Sequence, residues 1–130
     1  IGKPSSLQVE MHSVCATALS ECLDKIAPGI SMGSVFDAHA EVMDKSGFRM
    51  HRMNACGYSL GATFSPTWMD YPMFFHGNKE PIVPGMILFL HMILMNSEAG
   101  YAMTLGETIC VEESGIVRLS RHGSGLIVRE

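Results

Sequence analysis

The hydrophobic period of the chain changes near residue 55, and this change constrains the fold more than any other feature of the sequence. Before that point, apolar residues recur every three or four positions in two stretches, which is the spacing of one helix face. After it, apolar runs of strand length alternate with Gly, Pro, Asn and Asp. Two helices followed by antiparallel strands predict an α+β fold.

Both helices have sequence signals at their ends. P-S-S at residues 4–6 favours a helix start, and P-G at residues 28–29 ends the first apolar repeat. The second repeat begins at a serine cap within residues 31–34 and ends at S-G, residues 46–47. We therefore predict two helices joined by a short turn.

The remaining chain is predicted to form strands and one long loop. The predicted strands are residues 55–64, 85–95, 100–112 and 115–119, with a hairpin turn at E-E-S-G, residues 112–115. Residues 65–83 are predicted to be a loop rich in aromatic residues and histidine: Trp68, Tyr71, Phe74, Phe75 and His76. This loop could line a substrate pocket or form a protein contact, and contact or burial is favoured.

The size and charge of the chain limit the classes of protein to which it can belong. With 130 residues, the chain corresponds to a single domain, residues 1–130. A net charge of −4 gives no electrostatic footprint for nucleic acid, and no basic run would bind an anionic membrane. The apolar run at residues 86–95 is too short to span a bilayer and predicts a buried strand. Because 47% of the residues are hydrophobic, we expect an apolar surface that is covered by a partner, either a second copy or a missing chain. A homo-oligomer is the expected assembly.

The cysteines and histidines do not indicate a metal site or a disulfide framework. The four cysteines form no C-x-x-C pair, so they are interpreted as free thiols of a reducing cytoplasm. No two histidines show H-x-H or H-x-x-x-H spacing. From these residues we predict no metal and no cofactor.

Two polar residues interrupt apolar strands and are candidates for a site. His91 lies within F-L-H-M-I-L and is either a core histidine or a group directed into a cavity. Glu107 lies within L-G-E-T-I-C-V and is either an acid or base of a site or a rim carboxylate facing solvent. Sequence alone leaves both alternatives open.

Four segments, in order, resemble the creatinase/prolidase/methionine aminopeptidase superfamily, whose fold is called pita-bread. A helix ending in A-P-G at residues 27–29 is followed by a second helix ending in glycine. G-Y-S-L-G at residues 57–61 is similar to the family's G-H-G-I-G. P-G-M-I-L-F-L at residues 84–90 is similar to P-G-M-V-F-T-I, and G-E-T-I-C-V-E-E-S-G at residues 106–115 to E-D-T-V-L-V-T-E-D-G. The resemblance implies two helices and a curved antiparallel sheet from the C-terminal half of that fold.

The resemblance also implies that the metal-ligand positions are substituted. The ligand histidine of the metallopeptidase members falls on Tyr58, and the two ligand glutamates fall on His91 and Gly106. A second, substrate-side histidine falls on Ser65. The two ligand aspartates fall upstream of residue 1, so the chain is expected to be a fragment of a longer catalytic domain. Alternation along the strand directs Glu107 away from the face of Gly106.

Three functions follow from the resemblance. The first is a metal-independent hydrolase, as in creatinase and the ectoine hydrolases, which carry a similar G-Y-S-x-G and cleave a C–N bond of a small zwitterionic substrate. The second is a lyase acting on a betaine-like substrate, and the third is a non-catalytic binding protein. The isolated chain is expected to be inactive. The expected catalytic residues are His91 and Tyr58, and the expected substrate-binding residues are Ser65, Trp68, Tyr71 and Glu107.

Overall fold

Two helices, held by their predicted caps, precede all the strands in the computed structural model, which describes residues 2–61 and 63–129. The first helix, α1, spans Ser6–Lys25, and Ser5 caps it by accepting a hydrogen bond from the Gln8 backbone N–H. The Gln8 side chain accepts one from the Ser5 N–H in return, which completes a capping box. The second helix, α2, spans Met32–Lys45 and is capped by Ser31.

In the described part of the chain, five antiparallel strands follow, in the spatial order β2-β1-β3-β4-β5. The strands are β1 Ala55–Ser59, β2 Asp70–Phe75, β3 Ile87–Asn96, β4 Tyr101–Glu112 and β5 Gly115–Arg118. The long central pair, β3 and β4, is in continuous register from Ile87 opposite Cys110 to Asn96 opposite Tyr101. The α+β prediction is confirmed.

The prediction that residues 65–83 form only a loop is wrong. Residues 70–75 within this segment form β2, which pairs with β1 at the edge of the sheet. Pro72 lies inside this strand, and proline lacks the N–H that a central strand would need. An edge position tolerates that loss, so the pairing with β1 prevails over the local signal.

The two faces of the sheet differ in burial. Leu88, Leu90, Met92 and Leu94 alternate along β3 and are fully buried in the core, where α1 packs on β3 and β4. Phe89, His91 and Ile93 point to the other face and are only half-buried. The helices thus cover one face and leave the other accessible.

The cysteines of the chain are free thiols. Cys15, Cys22 and Cys56 are buried and Cys110 is half-buried. Burial raises the pKa of the Cys15 thiol to about 12, so this thiol stays protonated. No helix among residues 2–61 and 63–129 is long and apolar enough to cross a membrane.

Candidate functional site

A pocket of about 420 Å³ opens on the sheet face that the helices leave free. Tyr58 from β1 and His91 from β3 both line it, and Asn54 is a third polar residue at its wall. The remaining lining residues are apolar or glycine: Met53, Ala55, Gly57, Met69, Met73 and Ile93. The two residues expected to be catalytic therefore share one pocket.

Strand register also brings together the three positions onto which the resemblance sets the metal ligands of the metallopeptidase members. Tyr58 is paired with Phe89, and His91 is paired with Gly106. Directly paired residues of an antiparallel sheet point to the same face, so Tyr58, His91 and position 106 share the pocket face. In the resemblance described above, these positions carry one histidine and two glutamates.

An aromatic row takes the place of those ligands. The Tyr58 and Phe89 ring centroids are 5.5 Å apart, and the Phe89 and His91 centroids are 5.1 Å apart. A Cβ atom at position 106 would lie 2.5 Å from Phe89 Cζ and 2.8 Å from Phe89 Cε2. The Phe89 ring thus occupies the space that a side chain at position 106 would need.

The residues at this site do not fit the divalent ions that the resemblance implies. Such ions prefer carboxylate and imidazole donors, whereas the three positions offer a phenol, an imidazole and no side chain. Within residues 2–61 and 63–129, no three His, Cys, Asp or Glu residues are grouped to hold a metal ion.

Tyr58 is positioned by the loop that precedes β2. Its hydroxyl oxygen lies 2.9 Å from Trp68 Nε1. Because an indole N–H only donates, the Tyr58 oxygen is the acceptor, and its own hydrogen stays available for another acceptor. Tyr58 can therefore donate a hydrogen bond to a bound molecule.

His91 is held by the neighbouring strand. Its Nε2 atom lies 2.7 Å from Thr104 Oγ1. Burial lowers the pKa of the His91 imidazole below its usual range, which favours the neutral ring at neutral pH. A neutral imidazole with one ring nitrogen fixed by a hydroxyl group can accept a proton at the other nitrogen.

The other predicted site residues lie outside this pocket. Ser65 and Tyr71 are exposed and are not among the residues that line it. Trp68 contributes through its hydrogen bond to Tyr58. Thus Tyr58, His91 and Trp68 are brought together, while Ser65 and Tyr71 are not.

Glu107 also lies apart from the pocket, on the helix-covered face of the sheet. It is opposite Leu90 in the register and only 2% exposed. Its carboxylate accepts hydrogen bonds from Arg118 Nε at 2.8 Å and from the Ser120 N–H at 3.1 Å. Burial raises the pKa of this carboxyl, but the Ser120 and Arg118 hydrogen bonds outweigh it and lower that pKa overall. The placement assigns Glu107 to an ion pair that holds β5 against β4, in place of the expected substrate contact.

Two features of the site escaped sequence reasoning. One is Phe89, a large ring at the position where the similar family motif has threonine; it pairs with Thr108, and its ring lies over the diagonal neighbour Gly106. The other is the methionine lining from Met53, Met69 and Met73. These come from separate segments that only tertiary folding joins, so spacing along the chain carries no signal for them.

We expect the replacement of Gly106 by alanine to destabilise the protein by about 1–3 kcal/mol, the range for overpacking. The added Cβ would force the Phe89 ring to move. Urea unfolding of the single variants and of the Gly106→Ala, Phe89→Thr double variant measures the coupling between the two positions. Gly123→Ala is the control, because nothing lies within 4 Å of a Cβ there. An equal cost of Gly106→Ala with and without the Phe89 ring would contradict this interpretation.

Comparisons with known proteins agree with this architecture. The chain matches the model of metallopeptidase family M24 over residues 1–113. It is 28% identical over 130 residues to an ectoine hydrolase from Halomonas elongata, across 99% of this chain and 32% of that protein. The dipeptidase PepE from Mycobacterium ulcerans superposes with a TM-score of 0.87 at 20% identity, over 98% of this chain and 33% of that one. A prolidase from Pyrococcus horikoshii gives a TM-score of 0.87 at 17% identity, over 98% of this chain and 35% of that one.

The chain thus spans about a third of the length of these relatives. The likeness to the two solved structures shows the pita-bread fold, and the match to the family model covers most of the chain. The chain belongs to metallopeptidase family M24, in the creatinase/prolidase superfamily.

Proposed function

We propose that this chain forms one wall of a hydrolase site that cleaves a C–N bond of a small zwitterionic or amino-acid-like substrate without a bound metal. The observation that carries the proposal is the placement of Tyr58 and His91 in one pocket, at positions where the similar metallopeptidases hold ligands. The identity to an ectoine hydrolase supports this class of substrate. The proposed activity belongs to the whole protein, of which this chain supplies Tyr58 and His91.

In this proposal, His91 is the general base and Tyr58 stabilises the developing oxyanion. The neutral imidazole removes a proton from water as the oxygen attacks the carbon of the scissile C–N bond. Where that carbon is a carbonyl carbon, the Tyr58 O–H donates a hydrogen bond to its oxygen, which becomes negative in the tetrahedral intermediate. His91 then returns the proton to the leaving nitrogen as the C–N bond breaks.

The lining of the pocket suggests how such a substrate would be held. No carboxylate, lysine or arginine is among the described residues that line it, so a substrate carboxylate would need a cation from elsewhere in the whole protein. The Trp68 ring is 61% exposed and tethered to Tyr58. Its face is available for a substrate cation, an interaction of about 0.5–2 kcal/mol.

The decisive assay follows the hydrolysis of ectoine and of small N-substituted amino acids by NMR, with the whole protein that carries these residues. We expect turnover to persist after chelator treatment, with less than one equivalent of metal by elemental analysis. His91→Gln and Tyr58→Phe should each lower kcat by about 100-fold or more, as for the loss of a general base or an oxyanion donor. The matched control is His122→Gln, an exposed histidine outside the pocket.

Each alternative predicts a different result in the same assay. Turnover that is lost with chelator and restored by a divalent ion would overturn metal independence. An alkene product instead of a hydrolysis product would indicate the lyase. Binding without turnover by the whole protein would indicate the non-catalytic role. For the 130-residue chain alone, we expect no turnover.

A further inference from the structure

Three methionines and one histidine line the same pocket: Met53, Met69, Met73 and His91. We propose that they form a binding site for a soft monovalent cation, Cu(I), which Ag(I) would mimic. The site shares His91 with the proposed hydrolase, so a bound ion and the general base exclude one another at that ring nitrogen; binding of the ion is tested without turnover and stands or falls separately from the hydrolase activity.

Two of these donors lie in strands β2 and β3, and the other two lie in the segments that lead into β1 and β2. Met73 lies in β2 opposite Tyr58 of β1, and His91 lies in β3 on the other side of β1. Met53 and Met69 lie just before β1 and β2, respectively. The sheet thus brings together residues that are up to 38 positions apart in the sequence (residues 53 and 91).

The exposure of these methionines separates them from the methionines of the core. Met11, Met32, Met43 and Met92 are 0% exposed, as expected of side chains that fill a core. Met53 is 43% exposed and Met69 is 46% exposed, and both line the pocket. Packing within this chain therefore does not account for these two side chains, and their flexible thioethers can turn toward a bound ion.

The chemistry of the donor set selects the ion. Thioether sulfur is a soft ligand that favours Cu(I), whereas carboxylate and water favour hard divalent ions. None of the described residues that line this pocket is a carboxylate. The set of three thioethers and one imidazole therefore favours a soft ion over the hard divalent ions that the resemblance implies.

His91 is prepared for this role by its hydrogen bond to Thr104. A metal-binding histidine usually donates its other ring N–H to an oxygen, which fixes the tautomer. If His91 Nε2 donates to Thr104 Oγ1, 2.7 Å away, the lone pair of Nδ1 remains for the ion.

The direct test is a titration of Ag(I) into protein labelled with ¹³C at the methionine methyl groups, followed by NMR. We expect saturable shifts at one equivalent for Met53, Met69 and Met73. Met50 and Met95 are the matched controls, since they are 87% and 50% exposed but lie outside the pocket. A Cys110→Ser background removes the one thiol that is not fully buried.

Cu(I) affinity, measured anaerobically by competition with a chromogenic chelator, gives the second readout. We expect Met69→Leu and Met73→Leu each to weaken binding by at least about tenfold, and Met95→Leu to leave it unchanged. Shifts spread evenly over all exposed methionines, or an affinity that is insensitive to Met69→Leu and Met73→Leu, would overturn the proposal. So would the absence of any binding that competes with the chelator.

Discussion

Alanine at position 57 is expected to destabilise the protein by about 3 kcal/mol or more, the largest effect that we predict for any single methyl group. Gly57 has a φ of +153°, a conformation that side-chain-bearing residues rarely adopt. A Cβ there would collide with the backbone carbonyl oxygen of Phe89 and would lie 3.1 Å from Leu90 Cα. Since Gly57 is paired with Leu90 in the β1–β3 register, neither backbone can withdraw without breaking the pairing.

Urea unfolding monitored by circular dichroism measures this effect, with Gly123→Ala as the control. Gly123 is exposed, and nothing lies within 4 Å of a Cβ at that position, so its replacement should change the free energy of unfolding by less than about 0.5 kcal/mol. If Gly57→Ala and Gly123→Ala have the same midpoint, the close approach of β1 to β3 is not the reason for this glycine. If Gly57→Ala does not fold, hydrogen exchange of the wild-type Leu90 amide, expected among the slowest, tests the same pairing.

This result would also explain why G-Y-S-L-G has the same first glycine as the similar family motif, although the resemblance sets Tyr58 where that motif has its histidine. The glycine serves the backbone pairing between β1 and β3, whereas the side chain at position 58 serves the pocket. The two requirements are physically separate, so one can change while the other persists.

The elements of the fold that could be predicted from sequence are those with local causes. Helices α1 and α2 carry their own caps at Ser5 and Ser31, and β3 and β4 are long apolar runs around a short turn. Strand β2 could not be predicted in this way, because Pro72 interrupts it and only its pairing with β1 stabilises the extended form. Edge strands of this kind depend on tertiary contacts that short-range patterns do not contain.

The same distinction applies to the site. Alternation along β4 correctly directs Glu107 away from Gly106, because the period of a strand is a local property. Its carboxylate is held by Arg118, apart from the pocket. The filling of the space over Gly106 by Phe89 depends on cross-strand register, which a single strand does not encode.

Acid is expected to destabilise the protein between pH 6.5 and about 4 through a single buried histidine of α2. His39 is 1% exposed, and no described residue gives its Nδ1 a hydrogen-bond partner. Burial, and then the charge of Arg52, lower the pKa of His39 to about 4, against a smaller opposing effect of Asp44. His39 is therefore protonated below about pH 6.5 in the unfolded chain, but only below about pH 4 in the folded protein.

The direction and size of the change in the free energy of unfolding follow from this difference in pKa. The contribution of His39 is fully present above pH 6.5, is lost progressively as the pH falls, and levels off below about pH 4. A shift from 6.5 to about 4 corresponds to roughly 3 kcal/mol in total. His91, whose pKa burial also lowers, adds a smaller loss in the same window, so the His39 contribution must be isolated by substitution.

Urea unfolding at pH 7, 6, 5 and 4.5 should show a much weaker dependence on pH for His39→Leu than for the wild type. At pH 7 the variant should be nearly as stable, because leucine removes the buried nitrogen that lacks a partner. His122→Gln, which changes an exposed histidine, should keep the full dependence. A titration of the His39 ring by NMR gives an independent check, and a midpoint near 6.5 in the folded protein would show that this histidine is not the acid-sensitive group.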